Sequence, residues 1–398
     1  MPYVITTIDP EHFQKINLNS FLLSGKVIVR KIQAKRKFNL TKWYDESPEL
    51  SVFDISNLCK MMNYVRQISR RRLEINMNYR HFTIPKKTGG ERPIDEPNPE
   101  LKAVQAMLKE KCIDHVMNRT HTAAFAYCKD RSTKLCRMRH QANKSNWFLH
   151  LDLHHFFNSL AYPWVMKQIR SVYPYSNLEQ SQFDIFEDAM KLCWLDGGLP
   201  QGTVISPALS NLCMIPFDCE LNKRLAAKGF VYTRYADDIE ISHQKWFDAQ
   251  EVIKTVEEVM AKLDAPFTLN REKTHYGSRA GRNWGLGLML NKDNQITVGH
   301  EKKRLLKAEL HHLLCDWKNM LTMEQGIEKR DRANQLREQA IKLQGKLAYL
   351  RYIEPKYGEY LQKHLEEKVG ISLESIIKFY RAFDTPFRME YNSLFTSV

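Results

Sequence analysis

The sequence lacks the patterns that mark several classes of protein. Its eight cysteines form no CxxC pair, and no histidine lies at zinc-finger spacing from such a pair. No uninterrupted apolar run reaches the roughly 18 residues that suggest a membrane span. The opening MPYVITTIDPEHFQ has no signal-peptide pattern, and no fixed-period repeat is present. We therefore expect a cytoplasmic protein with reduced thiols and no membrane contact.

Positive charge is what the chain has in excess. Lys and Arg number 60 against 46 Asp and Glu, which gives a net charge of +14. Such a balance favours a polyanionic partner, usually nucleic acid, although many basic proteins bind none. With 398 residues, of which 43% are hydrophobic, the chain is long enough for more than one domain.

The pattern along the chain predicts three parts. Residues 1–78 form a basic N-terminal extension, residues 79–300 a mixed α/β centre, and residues 301–398 a helical domain interrupted near Glu354–Pro355. In the first part, RQISRRR predicts a helix with arginines on one side, which RNA contact and a solvated helix face explain equally well. These arginines are Arg66, Arg70, Arg71 and Arg72.

Two segments of the centre predict local structure. YRHFTIPKKTGGERPIDEP, from Tyr79, predicts two strands around KKTGG, because paired glycines permit a tight reversal. GLPQGTVISPALSNL predicts a loop that enters a helix, with Ser206 as the N-terminal cap and Pro207 in the first turn. We expect Pro216 to divide this helix and Gly229 to end it.

Two adjacent aspartates indicate metal chemistry. FVYTRYADDIEIS predicts a hairpin with Asp237 and Asp238 at its bend, where the two carboxylates repel each other. Shared cations would offset this repulsion, and two metal ions about 3.5–4 Å apart clamp the oxygens of phosphoryl transfer. Asp152 ends the apolar run WFLHL, so a strand at roughly Trp147–Leu153 would deliver a third carboxylate.

Simpler explanations exist for each acid taken alone. Asp152 would serve as a helix cap, and Asp237 with Asp238 as an ordinary polar turn. Both explanations weaken when the acids are considered together. Each acid ends a strand-like run, and basic candidates for phosphate binding flank all of them.

Several segments resemble those of reverse transcriptases in content and order. LDLHHFF, LPQGTVISPALSN and YADD are similar to the segments that build the active site, and IPKKTGGERPIDEPNPELKAVQ to the fingers motif of prokaryotic enzymes. LNREKT and LGLMLNKDNQITVG resemble later palm segments, and GKLAYLRYIEPKY resembles a thumb segment. The similarity covers roughly Arg80 to Tyr357. It implies an α+β right-hand polymerase, with fingers and palm on antiparallel sheet and an α-helical thumb, that acts as an RNA-directed DNA polymerase.

The resemblance also implies roles for matching residues. Asp152, Asp237 and Asp238 would hold two Mg²⁺ ions, with Mn²⁺ as a substitute and the Leu153 carbonyl as a further ligand. The residues that would contact the incoming dNTP are Lys86, Lys87, Arg92, Phe157, Gln201, Gly202 and Lys273. Arginine suits a triphosphate because its planar fork binds phosphate through two bonds. Phe157 matches the position where a ring beneath the sugar excludes a 2′-hydroxyl.

Each of these nucleotide contacts has a structural alternative. The lysines at 86 and 87 would belong to a solvated hairpin, and Gln201 and Gly202 to a simple turn before a helix. Lys273 would be a surface lysine, and Phe157 a core residue, as large apolar residues usually are.

The subtype rests on departures from related patterns. Retron enzymes typically carry NAxxH before the first catalytic strand and VTG in the palm, where this chain reads CRMRH and LGLML. The chain therefore resembles stand-alone bacterial enzymes of unknown group, many linked to antiphage defence. That group implies a structured non-coding RNA template, dNTP substrates and a DNA product. A retron-type enzyme, a template-independent polymerase and a module that only carries RNA remain as alternatives, and the oligomeric state stays open.

Overall fold

The computed structural model describes residues 52–86, 89–281, 283–324 and 326–379. The chain divides into two compact units between Ser278 and Arg279. This boundary differs from the predicted division at residue 300, and the assignment of fingers, palm and thumb domains stays a prediction.

All eight cysteines are free thiols. Within the described ranges, no helix is long and apolar enough to cross a membrane.

The first unit contains α-helices and antiparallel strands. Its α-helices among the described residues are α1 Val52–Arg71, α2 Pro99–Leu108, α3 Thr133–Ala142, α4 Phe156–Ser159, α5 Tyr162–Arg170, α6 Gln180–Met190, α7 Ser206–Cys213, α8 Ile215–Ala226 and α9 Ala249–Lys262. Its strands are β1 Tyr79–Pro85, β2 Glu91–Pro97, β3 Trp147–His154, β4 Val231–Tyr235, β5 Asp238–His243, β6 Thr268–Leu269 and β7 His275–Ser278. β1 and β2 form the predicted hairpin, and its turn includes a hydrogen bond from the Lys86 N–H to the Gly90 carbonyl at 2.9 Å.

The five-stranded sheet has the order β4-β5-β3-β6, with β7 also paired to β3. Side chains alternate between the two faces of a strand. On one face Leu149 and Leu151 of β3 lie opposite Ile241 and Ile239 of β5, and all four are buried in the main core. The other face carries the buried ring of Phe148 and several polar side chains, and Asp152 lies there opposite Asp238. The alternation of the sequence therefore separates the core from the acidic side chains.

Helix α1 belongs to the core of the first unit. Leu58, Met61 and Val65 are fully buried in the same cluster as the strands of the sheet. This helix lies inside the segment that the sequence predicts as a basic N-terminal extension. Residues 1–51 of that segment lie outside the described residues. The described part of the extension is thus built into the fold.

The loop before α7 corrects one prediction. Ser206 is the first residue of the helix, where we expected it to be the cap. The Ser206 N–H instead donates to the Thr203 hydroxyl at 3.2 Å, so Thr203 satisfies the free donor that a helix start leaves. The helix divides as predicted, because α7 ends at Cys213 and α8 begins beside Pro216.

The second unit is mainly helical. Its described elements are β8 Met289–Leu290, β9 Ile296–Thr297, α10 His300–Leu321, α11 Ile327–Ile353, α12 Pro355–Val369 and α13 Leu373–Phe379. The predicted interruption lies at Glu354, between α11 and α12. Its carboxylate accepts hydrogen bonds from the Thr297 hydroxyl at 2.8 Å and from Lys303 Nζ at 2.7 Å. The predicted class, α+β with an antiparallel sheet followed by a helical C-terminal region, is confirmed.

Candidate active site

Three carboxylates meet at one end of the sheet. Asp152 of β3 lies directly opposite Asp238, the first residue of β5. Side chains in such a cross-strand pair have Cβ atoms roughly 5 Å apart. Asp237 lies in the two-residue turn between β4 and β5, and its carbonyl accepts a hydrogen bond from the Leu153 N–H at 3.0 Å. The predicted convergence of Asp152, Asp237 and Asp238 is therefore what the backbone produces.

The turn that carries Asp237 has an unusual backbone. Ala236, its first residue, has φ 58°, a left-handed conformation that costs a non-glycine residue about 1–2 kcal/mol. A neighbouring side chain holds it there, because Arg234 Nη1 donates to the Ala236 carbonyl at 3.0 Å. The bend is thus fixed by a contact from within the same hairpin.

Arg234 is itself fixed by a buried ion pair. It donates from Nε and Nη2 to the Asp218 carboxylate at 2.8 and 2.7 Å, and neither side chain is exposed at all. The Tyr232 hydroxyl donates to the same carboxylate at 2.7 Å. A buried charge pair of this kind persists because each partner satisfies the other. Helix α8, which carries Asp218, therefore supports the turn through Arg234.

The acidic cluster concentrates negative charge in a partly buried place. Burial raises the pKa of Asp237, and Asp152 adds to that rise. Burial, with the charges of Asp237 and Asp152, raises the pKa of Asp238 to about 7. Lys273 Nζ donates to Asp152 Oδ1 at 2.8 Å, and this bond raises the pKa of the lysine. Carboxylates in such mutual repulsion gain from a nearby cation.

Whether the cluster can hold a metal ion depends on its donor atoms and on where they lie. Carboxylate oxygens are the ligands that Mg²⁺ prefers in proteins. Within the part of the chain that the structure describes, no three His, Cys, Asp or Glu side chains stand ready-made in the geometry of a metal site. One oxygen of Asp152 accepts a hydrogen bond from Lys273 Nζ at 2.8 Å.

The loop before α7 lies against β2 and α4. The Asp95 N–H of β2 donates to the Gln201 carbonyl at 2.6 Å, and Gln201 Nε2 donates to Asn158 Oδ1 at 3.0 Å. A Cβ atom on Gly202, which has φ 120°, would lie 2.7 Å from Cγ2 of Ile94. The glycine is required here, because the loop approaches β2 too closely for a side chain. Gln201 and Gly202 thus lie against β2 and α4, and their contact with a nucleotide stays a prediction.

Phe156 and Phe157 differ in burial. Phe156 is 3% exposed and contacts Phe267 in the core. Phe157 is half-buried, and its carbonyl accepts a hydrogen bond from the Leu199 N–H at 2.9 Å. His155, just before them, has φ 47° and turns the chain sharply after β3. The more exposed ring belongs to the residue predicted beneath the sugar, and its role stays a prediction.

The basic candidates divide into those near the acids and those elsewhere. Arg92 of β2 is exposed, and its charge lowers the pKa of Asp237, so it acts on the cluster electrostatically. Lys86 is exposed at the turn of the β1–β2 hairpin, and Lys87 lies outside the described residues. Along α1, Arg66, Arg70 and Arg71 are exposed. Arg72 forms an ion pair with Asp188.

Sequence reasoning missed the residues that support the turn. The available signal was Arg234, a charged residue within the strand VYTRY, where a buried arginine needs an acid from elsewhere. Its partner Asp218 lies on α8 and gives no local sign of that role.

Tyr127 was also missed by sequence reasoning. It has φ 57°, is 51% exposed, and lies 6.5 Å from Phe157 between ring centroids.

Comparisons with known proteins agree with this geometry. Residues 84–305, more than half of the chain, match the family model described as reverse transcriptase (RNA-dependent DNA polymerase). Similar proteins include the Retron Ec86 reverse transcriptase of Escherichia coli, 27% identical over 60% of this chain and 71% of that protein. The Retron Ec83 reverse transcriptase of Escherichia coli is 27% identical over 76% of this chain and 90% of that protein. The Retron Mx65 reverse transcriptase of Myxococcus xanthus is 24% identical over 82% of this chain and 72% of that protein.

Solved structures with partial likeness are telomerases. One is telomerase from Candida albicans in complex with a TWJ fragment of telomeric RNA, 12% identical, with a TM-score of 0.41 over 85% of this chain and 68% of that one. Apo telomerase from Candida Tropicalis is 11% identical, with a TM-score of 0.41 over 85% of this chain and 73% of that one. Scores this low do not establish a shared fold.

Proposed function

Because the chain belongs to the reverse transcriptase family and is an RNA-directed DNA polymerase, we propose that it copies an associated structured non-coding RNA into DNA. The proposed cofactor is a pair of Mg²⁺ ions, for which Mn²⁺ can substitute. The observation that carries this proposal is the meeting of Asp152 and Asp238 across two strands, with Asp237 in the adjoining turn.

Each acidic residue has a proposed part in holding the ions. Asp152, Asp237 and Asp238 would bind them, with the carbonyl of Leu153 as a further ligand. When bound, such ions stabilise the attacking and leaving oxygens of phosphoryl transfer. Lys273, which donates a hydrogen bond to Asp152, would stay near the phosphates and donate a proton to the leaving pyrophosphate.

The remaining site residues would bind and orient the nucleotide. Arg92, with Lys86 and Lys87 on the same hairpin, would bind the triphosphate. Gln201 and Gly202 would line the position of the nucleotide and template, since the loop lies against β2 and α4. Phe157 would pack beneath the sugar, because its ring is partly exposed while that of Phe156 is buried.

The net charge of +14 supports an RNA partner. Arg66, Arg70 and Arg71 are exposed on or at the end of α1 and would contact its backbone. Arg72 is part of the same proposed surface, but it would have to share its guanidinium with Asp188.

The relatives bear on the type of reverse transcriptase. Several are retron reverse transcriptases by name, which favours the retron-type alternative, in which the DNA product stays linked to its RNA. The departures at CRMRH and LGLML still favour a stand-alone enzyme. In either case we propose a role in bacterial antiphage defence.

Sequencing the RNA and DNA that copurify with the protein tests the proposal. We expect one enriched RNA, together with DNA that is complementary to part of that RNA. In Asp237→Asn, either the DNA alone or both nucleic acids should be absent. DNA that shifts in size after RNase treatment would identify the RNA-linked, retron-type product. DNA unrelated to any bound RNA would contradict templated synthesis and favour a template-independent polymerase.

A further inference from the structure

The backbone that leads to Tyr127 is held beside the catalytic hairpin. The Phe125 N–H donates to the Arg234 carbonyl at 2.8 Å, and Asn211 Nδ2 donates to the Ala126 carbonyl at 2.6 Å. Tyr127 follows directly, with φ 57°. A tyrosine in this conformation persists only where its surroundings fix it, and such residues gather at functional sites. The position of the Tyr127 ring is therefore set by the same framework that holds the turn.

The ring of Tyr127 contacts the ring of Phe157. The two ring centroids lie 6.5 Å apart with an interplanar angle of 68°, an edge-to-face contact. Phe157 also makes an edge-to-face contact with the buried ring of Phe156 at 5.6 Å. Phe157 thus contacts one core ring and one ring that is 51% exposed.

The hydroxyl end of Tyr127 lies in the electrostatic field of the site. Burial raises the pKa of Tyr127, the charge of Asp237 adds to that rise, and Arg92 opposes it. Both groups belong to the proposed metal and triphosphate positions. Tyr127 consequently connects the edge of the nucleotide site with Phe157, and a purely structural role would not require so exposed a ring.

We propose that Tyr127 is a positioning residue that fixes the ring of Phe157 and so sets the discrimination between dNTPs and rNTPs. The inference rests on the proposed function, and specifically on Phe157 as the residue beneath the sugar. Without the Tyr127 ring, Phe157 loses an edge-to-face contact on its less buried ring and gains freedom to rotate, while its packing against Phe156 and the core remains. A displaced Phe157 ring leaves space for a 2′-hydroxyl.

Single-nucleotide incorporation on a defined RNA template tests this role. The quantity measured is the ratio of kcat/KM for a dNTP to that for the matching rNTP. We expect Tyr127→Ala to lower this ratio roughly three- to tenfold, the range that the loss of one aromatic pair allows. Tyr127→Phe keeps the ring and should keep the ratio. Trp246→Ala removes a ring that is 65% exposed beyond the far end of β5, and it should also leave the ratio unchanged.

Further variants separate the possible failures. Phe157→Ala should lower the ratio more than any Tyr127 variant, and an unchanged ratio there would overturn both the role of Phe157 and this inference. If Phe157→Ala lowers the ratio and Tyr127→Ala does not, only the positioning role is overturned. A loss in Tyr127→Phe equal to that in Tyr127→Ala would assign the effect to the hydroxyl and contradict the proposal. Tyr127→Leu provides the same test with bulk retained if Tyr127→Ala fails to fold.

Discussion

Replacement of Arg234 by methionine should destabilise the protein and slow catalysis. The guanidinium donates two hydrogen bonds to Asp218, one to the Ala236 carbonyl and one to Asn211 Oδ1, and both charged side chains are fully buried. Removing one member of a buried ion pair leaves the other charged and unpaired, which costs about 3–5 kcal/mol. For a unit of this size, we expect Tm to fall on the order of 10 °C.

The matched control is Lys167→Met. Lys167 pairs with Asp264 at 2.9 Å, but both side chains are more than half exposed. An exposed pair contributes at most about 1 kcal/mol, so this variant should unfold nearly as the wild type does. The assay is urea unfolding of both variants beside the wild type. Equal unfolding free energies for Arg234→Met and Lys167→Met would refute the reasoning.

A double variant separates stability from positioning. Arg234→Met combined with Asp218→Leu removes both charges, and an apolar replacement of a buried pair commonly restores stability. The bond to the Ala236 carbonyl is still absent, so the turn that carries Asp237 stays loosened. We expect the double variant to recover most of its Tm while kcat remains reduced roughly tenfold to a hundredfold. Full recovery of kcat would show that Arg234 does not position the turn.

Three further predictions concern pH, packing and RNA. Burial lowers the pKa of His140 to about 4, so between pH 6.5 and pH 4 the unfolded chain binds the proton more tightly. His140 therefore contributes a loss of about 3 kcal/mol across that range, whereas Asp238, whose pKa is raised, contributes in the opposite direction. The Tm should thus fall more steeply with decreasing pH in the wild type than in His140→Gln, and equal pH profiles would contradict this. Gly202→Ala should raise KM for dNTPs because its Cβ meets Ile94, whereas Gly197→Ala, with a similar positive φ and open space, should not. RNA affinity should fall steeply with salt, by roughly 0.7–0.9 log units per neutralised phosphate for each tenfold rise, and alanine at Arg66, Arg70 and Arg71 should reduce that slope. A slope unchanged in this variant would place the RNA elsewhere.

Local patterns predict those parts of the fold that neighbours in sequence determine. The bend at Asp237 and Asp238 follows from two alternating runs around a polar pair, and the split near Pro216 follows from the missing N–H of proline. The position of Asp152 opposite Asp238 could be predicted because each acid ends or begins a strand of the same sheet. These features need only the period of the side chains and the chemistry of the turn.

Features that depend on distant contacts could not be predicted in this way. Asp218 and Arg234 satisfy each other across 16 positions, and nothing near either residue indicates the partner. Tyr127 and Phe157 lie 30 positions apart in the sequence, and only the fold brings their rings together. In both cases tertiary packing, which the local sequence does not reveal, makes the contact. The start of α7 differs for a local reason, because the helix begins at Ser206, one residue earlier than predicted, and the Thr203 hydroxyl accepts the Ser206 N–H.

Primer extension on a defined RNA template, with dNTPs and Mg²⁺, tests the central claim most directly. We expect the wild type to make DNA complementary to the template. Little or none of that product should form with Asp152→Asn, Asp237→Asn or Asp238→Asn. Each of these variants should keep a wild-type Tm, because the three acids take part in catalysis, whereas the buried pair of Arg234 and Asp218 stabilises the fold. Extension at the wild-type rate by any two of these variants would contradict the assignment of the active site.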